Sequence, residues 1–115
     1  MLSITRTLAL LAFFYAAGAL AAPRAENAVE CGIAADMAVV AHSLAKEEVQ
    51  RKKADTIMAR IYDVTDSDRG KELMKDILDA AYVSNGGSAQ RFAEDLFATC
   101  MKTGGDMDTV LGKKL

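Results

Sequence analysis

Residues 27–45 read NAVECGIAADMAVVAHSLA, and the spacing of the apolar residues in this stretch predicts the first helix of the protein. One stripe of large apolar side chains recurs every three or four residues, as on one face of an α-helix; its members are Val29, Ile33, Met37, Val40 and Leu44. A stripe of small residues runs beside it and would let another helix approach closely; its members are Ala34, Ala38, Ala41 and Ala45. We therefore expect a core helix, with Cys31 and His42 at the border of its buried face.

The two ends of this helix are marked by different signals. Asn27 is a good N-cap residue, and Glu30 follows three residues later as in a variant of the capping box. No glycine or proline marks the other end, so a turn is expected only from the change of pattern at residues 47–50. One continuous helix from Asn27 to Tyr62 remains an alternative, although its length would be unusual in so small a domain.

Two further helices are predicted before residue 84. The apolar pattern from about Val49 to Asp63 predicts the second helix, with a core stripe that includes Ile61. The third helix starts in a cluster of capping residues, where Thr65 and Asp68 have the spacing of a capping box. It carries a broad apolar face; its members are Leu73, Met74, Ile77, Leu78, Ala81 and Tyr82.

A fourth helix follows the Ser-Asn-Gly-Gly turn at residues 84–87, with Ser88 as its predicted cap. Its expected core face ends with Cys100 and also includes Phe97 and Met101, before Gly104 and Gly105 stop the helix. No long run alternates with the period of two that a β-strand requires. The predicted fold class is all-α, a compact bundle of about four helices.

The first 21 residues have the three parts of a secretory signal peptide. Arg6 is the only charge in a short leading segment, residues 8–20 form an uncharged apolar run, and Ala19-Leu20-Ala21 offers a cleavage site. The run is shorter than the roughly 20 residues that span a bilayer, which makes an uncleaved anchor the alternative. We predict a signal peptide over residues 1–21, one small helical domain over residues 22–115, and a periplasmic or extracellular location.

Export bears on the two cysteines of the chain, Cys31 and Cys100. Thiols tend to be oxidised outside the cytosol, and only one intramolecular pairing is available. A disulfide between them would join the first and last main helices and close a loop of about 70 residues, worth roughly 4 kcal/mol in the chain-entropy model. Two free, buried cysteines are the alternative.

The charge pattern argues against nucleic acid and against an anionic membrane surface. The formal net charge is −2, and the only basic run, residues 51–53, is offset by Glu47 and Glu48. Both kinds of partner call for a clustered basic face. We predict no nucleic-acid partner and no stable membrane insertion after the signal peptide is removed.

The sequence offers no constellation for catalysis or for a resident metal. His42 is the single histidine, and Cys31 precedes it by 11 residues, which is roughly 16 Å along a helix. The short zinc, haem and EF-hand motifs are missing, since the Asp-Ser-Asp at 66–68 and the Asp-Met-Asp at 106–108 lack the other calcium ligands. We predict no catalytic residue, no metal site and no cofactor.

In layout the chain is similar to small periplasmic helical proteins with a single disulfide, such as acid-stress chaperones. The likeness covers export, size, helicity and two cysteines, and no site residue is transferred. The predicted function is a non-enzymatic exported module that binds an unknown protein or small-molecule partner. The first alternative is a periplasmic acid-stress chaperone that opens as paired carboxylates take up protons. The second is a metal-binding protein, with His42 and core methionines as soft copper ligands, or a small hydrolase.

Overall fold

The computed structural model describes residues 24–112, so the predicted signal peptide at residues 1–21 lies outside the described residues. The helices in chain order are α1 (Ala28–Lys46), α2 (Arg51–Tyr62), α3 (Asp68–Val83), α4 (Ala89–Lys102) and the short α5 (Asp108–Leu111). No strand occurs between residues 24 and 112. The predicted all-α bundle with four main helices is therefore confirmed. The alternative of a single helix through residue 62 is wrong, because α1 ends at Lys46.

Helix α1 is the element on which the other helices pack. It contacts α4 most extensively, then α3 and α2, while α5 packs against α3 and α4. Cys31 is joined to Cys100 and His42 lies beside Phe92, so α1 and α4 run antiparallel. The largest side chains that are fully buried are Met37, Met58, Ile77, Leu78, Leu96, Met107, His42 and Cys100.

The buried side of α1 is centred on the alanine stripe, and of the stripe of large residues only Met37 is fully buried. Ala34, Ala38 and Ala41 have no exposed surface, whereas Val29 is 72% exposed and Ile33 is 43% exposed. The disulfide explains the difference, because it holds the Cα atoms of its two cysteines 5.6 Å apart and draws α4 onto the side that carries the first cysteine. Small side chains on that side allow the close approach.

Three more residues that we expected in the core are about half exposed to solvent: Ile61, Phe97 and Met101. Ile61 belongs to α2, and the other two belong to α4. Among residues 24–112, α4 has its main contacts with α1 and α5 alone, so one flank of α4 has no helix against it. The apolar pattern of these helices is therefore wider than the surface that the bundle covers.

Serine residues cap the two later main helices. Ser67 accepts a hydrogen bond from the Gly70 amide at 2.9 Å and is the N-cap of α3, as Ser88 is of α4. The predicted capping box between Thr65 and Asp68 is wrong, because Asp68 is already the first residue of α3. The Thr65 hydroxyl donates instead to the Asp63 carboxylate. Asn27 caps α1 as predicted by accepting from the Glu30 amide, whereas the Glu30 carboxylate accepts from the Glu26 amide and so does not close the predicted capping box with Asn27.

Helix α1 ends in a Schellman motif built around a glutamate. The Val49 amide donates to the Leu44 carbonyl at 3.0 Å, and the Glu48 amide donates to the Ala45 carbonyl at 3.1 Å. Glu48 occupies the position where most such motifs have glycine, and its φ is 60°. The turn between α1 and α2 therefore forms without glycine or proline, with one glutamate held in the left-handed region.

Replacing this residue in the variant Glu48→Gly is expected to raise the free energy of unfolding by about 0.5–1 kcal/mol. Glycine removes the cost of the left-handed conformation, roughly 1–2 kcal/mol. Part of this gain is offset because glycine loses more backbone entropy on folding. Urea unfolding followed by circular dichroism measures the change. The matched control is Glu47→Gly, because Glu47 has an ordinary φ of −80° and gains no such relief. A lower stability in Glu48→Gly than in the unmodified protein would contradict the prediction.

Candidate functional site

A cleft of about 200 Å³ opens between the first half of α1, the connection from α2 to α3, and the start of α3. Its floor is apolar and consists of Ile33, Met37, Val64 and Leu73. Met37 and Leu73 are buried, while Ile33 is partly exposed at the mouth of the cleft. The floor brings together residues that are up to 40 positions apart, so only the packed bundle creates it.

The polar rim of the cleft is held by Arg69, near the start of α3. Its guanidinium pairs with Glu26 at 2.6 Å and with Glu30 at 3.1 Å, and it donates to the Arg24 carbonyl at 3.1 Å. A hydrogen bond from the Glu26 amide lowers the pKa of Glu30, and the charge of Arg69 adds to this effect against the opposing influence of burial. Glu30 is therefore an ionised acceptor on the rim at neutral pH.

Tyr62 forms a further side of the cleft. Its hydroxyl donates to the Asp36 carboxylate at 2.8 Å, which links the end of α2 to the middle of α1. Burial and the neighbouring Asp36 raise the pKa of Tyr62 well above its ordinary value. The hydroxyl therefore keeps its proton and its hydrogen bond over the whole neutral range.

Arg24 is a buried residue that also lines the cleft. Its guanidinium donates to Asp76 on α3 at 3.0 Å, to Asp108 on α5 at 2.7 Å and to the Gly112 carbonyl at 2.8 Å. The side chain is 5% exposed. Because its charge is matched by these partners, Arg24 shapes the site and offers no free cation to a ligand. Sequence reasoning missed Arg24, since no local pattern distinguishes a buried arginine from an exposed one.

The predicted disulfide is present. Cys31 and Cys100 are joined with an S–S distance of 2.02 Å, and both are buried. Between residues 24 and 112 no cysteine is free, so this part of the chain holds no thiol nucleophile.

His42 lies in the core and not at the border of the buried face, where we expected it. It has no exposed surface, its Nε2 is 3.4 Å from the Gly86 carbonyl oxygen, and its ring centroid is 5.6 Å from that of Phe92. Its Nδ1 has no hydrogen-bond partner. The cleft does not include His42. In the described part of the chain, no group of three or more His, Cys, Asp or Glu residues is placed to hold a metal ion.

The outer side of α1 is a second candidate surface. By length and composition α1 is apolar enough to cross a membrane, yet only 39% of that stretch is buried inside the bundle. Helices that are apolar all round are usually covered on all sides. Besides Ile33 at the mouth of the cleft, the large exposed apolar residues of α1 are Val29 and Val39.

Comparison of the chain with protein-family models, with curated proteins and with solved structures gives no match. The disulfide and the apolar N-terminal stretch fit an exported protein. The cleft and the outer side of α1 are the two surfaces of the described residues that suit a binding partner.

Proposed function

We propose that this protein is a non-enzymatic interaction module, exported to the periplasm or the cell exterior, whose cleft receives one apolar side chain of a protein partner. The size of the cleft carries the proposal. Pockets for cofactors and drug-sized ligands measure about 300–1,000 Å³, whereas an apolar cavity of about 150 Å³ accepts a single benzene. A cleft of about 200 Å³ therefore suits one aromatic or branched side chain.

The rim of the cleft matches the backbone that would carry such a side chain. Glu30 presents an ionised acceptor, and the half-exposed Arg69 presents guanidinium donors beside it. A peptide backbone has one donor and one acceptor per residue, so it can bond to both groups while its side chain enters the apolar floor. An anion or a cation alone would find these charges already paired.

The test is a titration with the blocked amino acids N-acetyl-leucine amide and N-acetyl-phenylalanine amide, followed by methyl NMR. We expect saturable shifts at the methyl groups of Ile33, Val64 and Leu73. The variant Ile33→Lys places a charge at the mouth of the cleft, and we expect it to weaken binding at least fivefold, about 1 kcal/mol. Ile33 is already partly exposed, so the variant keeps the fold.

The matched control is Val83→Lys, at the other end of α3. Val83 is 87% exposed and lies ten residues from Leu73, about 15 Å along the helix. Binding in this variant should equal that of the unmodified protein. Shifts that never saturate, or that are the same in Ile33→Lys, would reject the cleft as the binding site.

We propose as a second candidate an acid-stress chaperone, because ionised carboxylates join separate helices in this bundle. Asp79 on α3 receives hydrogen bonds from Arg51 on α2 at 2.6 Å and from Lys75 at 3.0 Å. Partial burial alone would raise the pKa of Asp79, but these hydrogen bonds outweigh it and hold that pKa below its ordinary value. Glu30 and Arg69 make a similar link between α1 and α3.

Stability is therefore expected to fall as the pH drops below about 4. A carboxyl whose folded-state pKa is lowered stabilises the fold above its unfolded pKa, about 4, and loses that contribution as the pH falls through its folded pKa. Urea unfolding and binding of the dye ANS, measured from pH 7 down to about pH 2, should show weakened folding and newly exposed apolar surface.

The double variant Glu30→Gln, Asp79→Asn should be less stable at pH 7 and should depend less on pH below 5. The control Asp66→Asn changes an exposed carboxylate in the α2–α3 connection and should leave the pH dependence unchanged. An ANS signal that stays constant down to about pH 2 would exclude the chaperone function.

A further inference from the structure

We propose that the partner carries a lysine or an arginine within two positions of the apolar residue that enters the cleft, and that Asp36 binds this cation. This requirement rests on the proposed function, because the cleft must first receive the apolar side chain. It narrows the partner from any apolar segment to one in which an apolar and a basic residue stand close together.

Asp36 is an exposed carboxylate at the edge of the cleft, and its one bonded partner among residues 24–112 is neutral. Its Oδ2 accepts a hydrogen bond at 2.8 Å from the hydroxyl of Tyr62, which lines the cleft. Its Oδ1 accepts no hydrogen bond from the described residues, and none of their cations pairs with it. Because a carboxylate has about four acceptor sites, Asp36 is oriented by Tyr62 and still open to a cation.

The position of Asp36 on α1 brings it to the mouth of the cleft. Successive helical residues turn by about 100°, so Asp36 lies about 60° round the helix from Ile33, on the side away from Glu30. Glu30 and Ile33 both line the cleft. Glu30 and Asp36 are about 9 Å apart along the helix, with Ile33 midway between them. The apolar entrance therefore lies between two carboxylates, of which Glu30 alone is paired with a cation.

The rim of the cleft carries more negative than positive charge. Arg69 pairs with both Glu26 and Glu30, so that one guanidinium meets two carboxylates. Asp36 adds a third carboxylate without adding a cation. Arg24 does not correct the balance, because its own charge is already matched by two carboxylates. Such a rim attracts a basic segment and repels an acidic one.

The other cations close to the cleft in sequence point away from it. Arg60 lies about 200° round α2 from Tyr62, which lines the cleft. Lys71 lies about 200° round α3 from both Arg69 and Leu73, which also line it. The excess negative charge at the mouth is therefore left for a partner to neutralise.

The geometry of an extended chain gives the spacing along the partner. Successive residues advance by about 3.3 Å and alternate sides, so a side chain two positions from the apolar residue points the same way, about 6.6 Å further on. Asp36 lies about 4.5 Å along α1 from Ile33 and one-sixth of a turn around it. The long, flexible stem of lysine or the fork of arginine covers the remaining distance.

The test compares four blocked tripeptides by methyl NMR titration of the disulfide-bonded protein. Acetyl-Leu-Ala-Lys amide and acetyl-Lys-Ala-Leu amide carry the cation on either side of the leucine. Each is compared with the peptide of the same order that has glutamine in place of lysine. We expect at least one lysine peptide to bind about two- to fivefold more tightly than its glutamine counterpart, as for an exposed ion pair.

The variant Asp36→Asn isolates the charge, because the amide oxygen still accepts a hydrogen bond from Tyr62. We expect lysine and glutamine peptides to bind this variant equally. The matched control is Asp95→Asn, an exposed position on α4, a helix that contributes no residue to the cleft, and it should retain the preference. In about 1 M salt, where the Debye length is about 3 Å, the preference should also disappear in the unmodified protein.

The outcomes separate the charge requirement from the cleft itself. Saturable binding of all four peptides with equal Kd values would overturn the role of Asp36 and leave the cleft as a site for an apolar side chain. A lysine preference that persists in Asp36→Asn would overturn that role as well. If no peptide gives saturable shifts, the proposed function is rejected, and the charge requirement is rejected with it.

Discussion

Loss of the disulfide is expected to lower the free energy of unfolding by about 4 kcal/mol, the largest effect that any single change should produce. The bond joins residues 69 positions apart, so in the unfolded chain it closes a long loop and removes much of the conformational entropy. A domain of this length has a total stability of about 5–10 kcal/mol. The reduced protein should therefore retain only a small margin of stability.

The experiment compares two ways of removing the bond. The double variant Cys31→Ala, Cys100→Ala leaves no buried hydroxyl or thiol at two positions that are both buried. Urea unfolding of this variant and of the unmodified protein in excess reductant should give similar stabilities. Reductant should have no effect on the double variant, which is the internal control. A loss below about 1 kcal/mol would show that the loop-closure argument does not hold here.

The sequence predicted what short-range rules determine. Asn27 and Ser88 cap their helices, and Gly104 adopts a φ of 68° beyond the end of α4, because such signals act within a few residues. The disulfide followed from there being only two cysteines in a chain expected to be exported. The start of α3 was misplaced because several capping residues stand together there, and local patterns do not decide which of them caps the helix.

The covered side of α1 could not be predicted in the same way. Two sets of residues in α1 recur with helical spacing: large residues such as Val29 and Ile33, and alanines such as Ala34 and Ala38. Periodicity alone therefore predicts two possible buried faces. The choice between them depends on where α4 docks, and the position of Cys31 decides it. Val29 and Ile33 then remain outside, and this exposed apolar surface suggests interaction with another protein chain.

The cleft could not be predicted from the sequence either. Its rim and its support join residues that are far apart in the chain, such as Arg69 with Glu30 and Arg24 with Asp108, which is 84 positions away. Each of these residues looks like an ordinary surface charge when read alone. Only the packed fold shows that they meet around one apolar floor.

The second large effect is expected at Arg24, where Arg24→Met should lower the free energy of unfolding by about 2–3 kcal/mol. Breaking a fully buried ion pair from one side costs about 3–5 kcal/mol, because the remaining partner is left buried and unpaired. Here the remaining carboxylates, Asp76 and Asp108, are 23% and 37% exposed, so water recovers part of that loss. Methionine keeps the apolar stem of the side chain, so the variant isolates the guanidinium.

Hydrogen exchange would show where the loss of Arg24 acts. The N-terminal segment is held by Arg24 and by the hydrogen bond from the Ala25 amide to the Gly105 carbonyl. We expect faster exchange at Ala25 and across α5 in Arg24→Met, with little change at the disulfide end of α4. Arg91→Met replaces an exposed arginine on α4 and is the control. Because Arg24 also lines the cleft, weaker binding of the blocked amino acids in Arg24→Met alone would show that this buried ion pair holds the binding surface in shape.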